Sequence, residues 1–300
     1  MGGVAAVVLL IVVVALAWQP AAPLPAPRSE VAAASFRGGV AVVGGFAADG
    51  SSSREVDLYS PKSNSWRRLP DLPVAVNHAM TAAAARKLYV FGGYGGLLVG
   101  ARRTAFVLEE GRWSRLPALP AARAAGGAAA VNGQIYVVGG VGPSGLARRV
   151  FVFDPARGRW STIPGPTPRE HLAVTAAGGR VYALAGSTAG LDTNLSVFEV
   201  YSPSTKRWRR LPPVPAPRGG TGAAAVGRLV VSAGGEQPSG TIASVYGYDI
   251  VTGRWRRLPD LPTPRHGLGV AAAGGQIYAV AGGTTPGLSV SAVNEVLSLR

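Results

Sequence analysis

The sequence predicts an all-β fold, a six-bladed β-propeller with four antiparallel strands in each blade. Three residue types recur along the chain with one period of 46 to 49 residues, as in repeat architectures. The tryptophan ladder contains every tryptophan of the chain: Trp18, Trp66, Trp113, Trp160, Trp208 and Trp255. The glycine ladder consists of Gly45, Gly93, Gly140, Gly186, Gly234 and Gly282. The arginine ladder, nine or ten residues after the tryptophans, consists of Arg28, Arg123, Arg169, Arg218 and Arg265.

The composition agrees with many short strands joined by turns. The 300 residues include 42 Gly and 24 Pro, and only 15% of them are charged. Long amphipathic helices would need more Glu, Lys, Leu and Gln. The chain has no cysteine, which excludes disulfides, thiolate catalysis and cysteine-ligated zinc or iron–sulfur sites.

Each repeat divides into four strand-like pieces. The third reads GGAAAVNG, QIYVVGG, RRVFVFDP and GRWSTIP, and its Asn132-Gly133 pair is typical of a two-residue hairpin. Six such four-stranded sheets form a radial propeller, because one sheet alone cannot bury both faces. The repeated aromatic residues are expected to pack between neighbouring sheets rather than to stack on sugars.

The two ends of the chain are expected to meet in the last blade. The final repeat ends after its third strand, and Trp18 is in register to supply the fourth. The preceding residues 1–17 form an apolar leader ending in Ala15-Leu16-Ala17, which resembles a signal-peptidase site. The predicted organisation is a leader at 1–17, a cleaved signal peptide or an uncleaved anchor, and a propeller at 18–300. The expected location is secreted or membrane-anchored outside the cytoplasm; a valine-rich strand and a cytoplasmic location are the alternative.

Positive charge is concentrated on the fourth strand of the repeats. The formal net charge is +15, and charged side chains on this outer strand protect an exposed sheet edge from aggregation. Nucleic acid is not an expected partner, because the charge is spread around a rim without interleaved exposed aromatics. Fourteen basic residues belong to this set: Lys62, Arg67, Arg68, Arg112, Arg115, Arg157, Arg159, Lys206, Arg207, Arg209, Arg210, Arg254, Arg256 and Arg257.

The segments LYVFGG, IYVVGG and IYAVAGG, followed by R-W-x-x-L-P and then P-R, resemble Kelch motifs. The resemblance covers residues 18–300 and implies a six-bladed Kelch propeller of the galactose oxidase-like central domain superfamily. Kelch propellers serve as enzymes, sugar binders and protein-binding platforms, so the fold alone does not give the function. The galactose oxidase radical cofactor needs a cysteine–tyrosine cross-link, which a chain without cysteine cannot form.

The candidate ligand-binding residues lie in two sets of loops expected at one mouth of the central channel. Arginines there would bind an anion bidentately or donate to loop carbonyls. The three histidines fall in alternate blades; a shared metal is geometrically conceivable, but we predict no metal and no other cofactor. The first set of loops carries Arg28, Glu30, Asn77, His78, Arg123, Arg169, Glu170, His171, Arg218, Arg265 and His266, and the second carries Asp192 and Glu236.

These features favour a monomeric binding protein that recognises an acidic ligand, a glycan or a protein on the channel face. Contact with a membrane is expected only through the leader. The alternative is a carbohydrate-active enzyme resembling the periplasmic Kelch sialic acid mutarotase, whose substrate is an anionic sugar. In that case Glu170 and His171 would supply acid–base catalysis.

Overall fold

The computed structural model describes residues 16–97 and 99–299. The chain forms six four-stranded antiparallel sheets, which confirms the predicted number of blades and of strands per blade. Within the described residues the one helical element is a single 3-10 turn, Leu191–Thr193. No helix in this part of the chain is long and apolar enough to cross a membrane. Most of the predicted leader, residues 1–15, lies outside the described residues.

The strands follow one another with short connections. In chain order the first are β1 (Trp18–Pro20), β2 (Ala32–Phe36), β3 (Gly39–Val43), β4 (Val56–Ser60), β5 (Ser65–Arg68), β6 (Met80–Ala84), β7 (Lys87–Phe91), β8 (Ala105–Glu109) and β9 (Arg112–Arg115). The middle strands are β10 (Gly127–Val131), β11 (Gln134–Val138), β12 (Val141–Gly142), β13 (Gly145–Leu146), β14 (Arg149–Asp154), β15 (Arg159–Pro164), β16 (Ala173–Ala177), β17 (Arg180–Leu184), β18 (Phe198–Ser202) and β19 (Arg207–Arg210). The last are β20 (Gly222–Val226), β21 (Leu229–Ala233), β22 (Glu236–Gln237), β23 (Gly240–Thr241), β24 (Val245–Asp249), β25 (Arg254–Leu258), β26 (Gly269–Ala273), β27 (Gln276–Val280) and β28 (Asn294–Ser298).

Each blade runs from an inner strand beside the central channel to an outer strand at the rim. Blade 1 is β2-β3-β4-β5, blade 2 is β6-β7-β8-β9, and blade 4 is β16-β17-β18-β19. Blade 3 (β10-β11-β14-β15) and blade 5 (β20-β21-β24-β25) each carry an additional short hairpin, and blade 6 is β26-β27-β28-β1. The inner strands are rich in alanine, as in AAASF of β2. Six strands that converge on one axis leave room only for small side chains.

The aromatic ladder packs between the blades, as predicted. At the interface of blades 3 and 4, the ring centroids of Tyr136 and Tyr201 are 5.6 Å apart, and those of Tyr201 and Trp208 are 5.4 Å apart. The indole N–H of every tryptophan donates to a backbone carbonyl of the preceding blade, at 2.8 to 3.1 Å. The accepting carbonyls, in the order of the tryptophans, belong to Pro259, Ala22, Pro70, Pro117, Pro164 and Pro212.

The ring is closed by the N-terminal strand, as the sequence predicts. Strand β1 pairs antiparallel with β28, and Trp18 lies opposite Leu297. Trp18 is buried among residues of blades 5 and 6, including Leu261 and Ile277. The closing strand has three residues, whereas the other outer strands have four to six. One aromatic side chain therefore supplies most of the packing of this strand.

We expect Trp18→Ala to lower the free energy of unfolding by about 3–5 kcal/mol, because it removes a buried indole and leaves a cavity. Trp18→Phe keeps an aromatic ring and loses the hydrogen bond to Pro259, so its effect should be smaller. Urea denaturation followed by tryptophan fluorescence measures both. A Trp18→Ala protein as stable as the parent would show that β1 does not hold the ring closed.

Candidate functional site

A ring of six backbone corners surrounds one mouth of the channel. Each corner precedes the inner strand of its blade and has a φ angle between 49° and 61°, in the left-handed region. The corner N–H of blade 2 donates to the corner carbonyl of blade 1, and this continues from blade to blade. Val31 N–H closes the ring by donating to the Gly267 carbonyl at 3.2 Å. The corner residues are Glu30, His78, Ala125, His171, Gly220 and Gly267.

The corners direct side chains towards the channel axis, where they line a cavity of about 80 Å³. Glycine adopts the left-handed region without steric cost, and it occupies the corners of blades 5 and 6. Any other amino acid in this left-handed region raises the free energy of the folded backbone by roughly 1–2 kcal/mol. Glu30, His78 and His171 nevertheless occupy three of the corners. Unfavourable backbone conformations of this kind are concentrated at functional sites.

Two histidines and a glutamate meet at the centre of the ring. The Nε2 atoms of His78 and His171 are 3.0 Å apart. His78 Nε2 is also 3.1 Å from Glu30 Oε2. His171 Nδ1 lies 3.7 Å from a carboxylate oxygen of Glu170. The corner geometry thus brings residues from blades 1, 2 and 4 into contact.

The third histidine approaches Glu30 from the other side. His266 stands one position before its corner, and its Nδ1 lies 3.2 Å from Glu30 Oε1 and 3.4 Å from Glu236 Oε1. Its Nε2 lies 3.1 Å from the carbonyl oxygen of Thr285. Asn77 supports the cluster from behind, with its Oδ1 at 2.6 Å from His78 Nδ1.

The cluster shifts the pKa of its members in opposite directions. Burial lowers the pKa of His78 to about 4, despite the opposing charge of Glu30. Burial opposes the charge of Glu30, but the charge of His78 and the hydrogen bond to His266 outweigh it and lower the Glu30 pKa. Burial also opposes the charges of His171 and His266, yet their hydrogen bonds and carboxylate neighbours raise both pKa values. Burial raises the pKa of Glu236. The mouth therefore holds a carboxylate surrounded by imidazoles.

The five ladder arginines lie inside the blades, away from the mouth. Arg28, Arg169, Arg218 and Arg265 are 0% exposed and Arg123 is 4% exposed. Arg169 donates to the carbonyls of Ala183, Ala185 and Thr167 at 2.6 to 3.0 Å. Their guanidinium groups are buried and donate to backbone carbonyls and to side chains within the blades, so these arginines do not form an anion clamp at the channel mouth. The arginine clamp that the enzyme alternative also requires is absent from this position.

Three of these arginines are paired with a buried carboxylate of the same blade. Arg28 binds Asp57, and Arg169 and Arg265 bind Glu199 and Glu295 at 2.7 Å. Each carboxylate follows its arginine by 29 or 30 residues. This regular spacing is visible in the sequence and would have indicated the structural role.

The remaining predicted site residues lie at different distances from this cluster. Asp192 is exposed on the 3-10 turn of blade 4. Glu170 lies beside the corner and forms an isolated bridge with Ser187. Asn77 is fully buried, and its Nδ2 donates to Ser52 Oγ and to the carbonyl of Gly96. Asp192 and the five arginines lie away from the mouth. The predicted residues that the structure brings together are Glu30, Asn77, His78, Glu170, His171, Glu236 and His266.

A second candidate site lies on the outer part of blade 4 and was not predicted. It is a groove of about 450 Å³, which we call the basic groove, and no carboxylate lines it. Val200 and Ser202 lie opposite Arg209 and Arg207, and Val200 packs in the core between blades 4 and 5. The charged and hydroxyl side chains that line the basic groove are Arg180, Ser202, Thr205, Arg207 and Arg209.

The repeated blades, the mouth lined by corners and the closure by the N-terminal strand define a repeat propeller. Its candidate binding residues lie on connecting loops and outer strands. The family model of the KLHDC2/KLHL20/DRC7 Kelch-repeats domain matches residues 13–186, more than half of the chain. A model of the Kelch motif matches residues 168–215 and 217–262. The chain therefore belongs to the Kelch-repeat family, and a Kelch propeller supports a role in protein interaction. No curated protein matches the chain.

We expect Arg169→Ala to lower the free energy of unfolding by about 3–5 kcal/mol, because it leaves the buried Glu199 carboxylate without its charge partner. The control is Arg112→Ala at an exposed position of an outer strand, where the change should stay within about 0.5 kcal/mol. Urea denaturation measures both. Equal stabilities of the two variants would contradict a structural role for Arg169.

Proposed function

We propose that this protein is a non-catalytic interaction propeller that binds an acidic segment of a partner protein in the basic groove. The observation that carries the proposal is the free positive charge there. Arg180, Arg207 and Arg209 are exposed, and none of them makes an ion pair with any residue of the described chain. Three unpaired guanidinium groups around one concave surface are suited to a ligand with several carboxylates.

Several exposed arginines elsewhere are already engaged, whereas others, such as Arg112 and Arg115, are unpaired but line no groove together with a third arginine. Arg68, Arg157 and Arg257 each pair with an aspartate three residues away on their own blade. The basic groove has no such aspartate, so its guanidinium donors are available to a partner. Serine and threonine hydroxyls beside the arginines add neutral donors for the same oxygens.

The channel mouth is less suited to an acidic ligand than the sequence predicts. The ladder arginines are buried, and the mouth itself presents the carboxylates of Glu30, Glu170 and Glu236. The net charge of +15 attracts an acidic partner over a distance and increases its association rate. That long-range attraction favours any negatively charged partner, and the basic groove determines where on the surface the partner binds.

The test is binding of a fluorescent octaglutamate peptide, followed by anisotropy at low and physiological salt. We expect the double variant Arg207→Glu and Arg209→Glu to weaken binding by more than about tenfold, because it removes two charge-assisted contacts and introduces repulsion.

The matched control is Arg112→Glu with Arg115→Glu on the outer strand of blade 2. It changes the net charge by the same amount at exposed positions, so it reproduces the loss of long-range attraction alone. We expect it to weaken binding less than threefold at physiological salt. If both double variants weaken binding equally, net charge rather than the basic groove explains the interaction, and the proposal is wrong.

A further inference from the structure

We propose that Glu30, His78 and His171 bind one zinc ion, or a similar divalent transition-metal ion, at the channel mouth. One carboxylate oxygen and two imidazole nitrogens, all within 4.8 Å of one another, form a set of three ligand atoms. Imidazole and carboxylate are ordinary zinc ligands, and three protein ligands leave a fourth position open. None of these residues belongs to the basic groove, so this proposal is independent of the proposed function.

The tautomer of His78 directs a lone pair at the cluster. The amide nitrogen of Asn77 donates to Ser52 and Gly96, so its oxygen faces His78. That oxygen can only accept, and His78 Nδ1 therefore carries the ring proton. Its Nε2 then presents a lone pair to Glu30 Oε2 at 3.1 Å and to His171 Nε2 at 3.0 Å. A lone pair facing a carboxylate is repulsive unless a cation lies between them.

His171 has the same arrangement. The carboxylate of Glu170 lies 3.7 Å from Nδ1 and favours a proton on that nitrogen, while Nε2 faces His78 at 3.0 Å. The pKa of His171 is raised, so a zinc ion must displace a proton from Nε2 when it binds. Histidines that bind metals usually donate the distal ring N–H to a carbonyl or carboxylate, because this fixes the tautomer and the orientation of the ring. Asn77 is such an acceptor for His78 at 2.6 Å, and Glu170 places a carboxylate 3.7 Å from Nδ1 of His171.

The backbone provides an independent argument. The three proposed ligands occupy corners of blades 1, 2 and 4 with φ angles of 49° to 51°. Glycine would be favoured at such corners by local conformational energy. Three of the four corners without glycine carry metal-binding side chains, and the fourth carries Ala125. Among the six corners, the side chains that replace glycine are thus mainly ones that can bind a metal.

His266 and Glu236 form a second set with the other oxygen of Glu30. This set offers one imidazole and two carboxylates, whereas the first set offers two imidazoles and one carboxylate. Nitrogen ligands favour zinc over the harder cations that carboxylates prefer. We therefore assign the ion to the first set, and His266 acts as a positioning residue that orients the Glu30 carboxylate.

A proton shared between the imidazoles is the competing occupant of the same space. It would also relieve the repulsion between lone pairs, but it requires no zinc affinity. The cavity beside the cluster, about 80 Å³ in volume, opens to the channel and has room for water at the fourth position. Metal binding therefore separates the two possibilities directly.

The experiment uses protein stripped of metal with a chelator and titrated with zinc in competition with a chromophoric chelator. We expect one ion per chain. His78→Gly and His171→Gly suit the left-handed corners, so both should fold, and a thermal melt confirms this. Each should weaken zinc binding by more than about 100-fold. Loss of a residue that only orients a ligand weakens metal binding by about 10–100-fold. His266→Gln should fall within that 10–100-fold range.

The matched control is Ala125→Gly, which makes the same backbone change at the equivalent corner of blade 3. It should bind zinc within about threefold of the parent protein. Cobalt substitution gives a second readout, because its visible absorption bands change when an imidazole ligand is lost. Zinc binding that survives His78→Gly and His171→Gly would be adventitious, and a parent protein without zinc affinity would hold a shared proton. Either result would overturn the proposal.

Discussion

The channel mouth depends on one backbone constraint, the left-handed corner that joins each blade to the next. In five blades its N–H donates to the corner carbonyl of the preceding blade, and in blade 1 the next residue, Val31, donates instead, so the six corners form a hydrogen-bonded ring. The bonds satisfy polar backbone groups beside the channel, where an unpaired group would be costly. The same φ angle directs every corner side chain towards the axis. A structural requirement of ring closure thus places six corners around one point, and the four side chains that they carry decide the chemistry of the mouth.

The buried arginines hold these corners in place from behind. Arg265 donates to the carbonyls of Ala279 and Ala281 and pairs with Glu295, all within its own blade. A planar guanidinium with five donors can bind several oxygens at fixed angles, which lysine cannot do. The corner follows two residues later, so its position is set by a rigid attachment. The arginine ladder therefore acts on the mouth indirectly, through the backbone.

The period of the sequence was sufficient to predict the blades, the strands and the closure by Trp18. It also placed His78, His171 and His266 in the same set of loops, although His266 lies one position before its corner. It did not reveal that the arginines are buried, because a loop arginine faces solvent or protein according to its partners. The spacing of 29 or 30 residues between an arginine and a carboxylate such as Glu199 was the one available signal, because the two residues become neighbours only after the blade folds. The basic groove was missed for a similar reason, since Arg180 meets Arg207 and Arg209 only through the pairing of three strands.

The two candidate sites differ in the physics that governs them. His78 is 6% exposed and His266 is 1% exposed, so charges at the mouth interact in a medium of low dielectric constant, where a cation is strongly felt. The arginines of the basic groove lie in water. There, at physiological ionic strength, salt screens the interaction between charges that are more than about 8 Å apart. Binding at the mouth is therefore governed by short-range coordination geometry, and binding at the groove by charge and salt. One repeat can contribute to both sites, because its corner lies beside the channel and its outer strand lies at the rim.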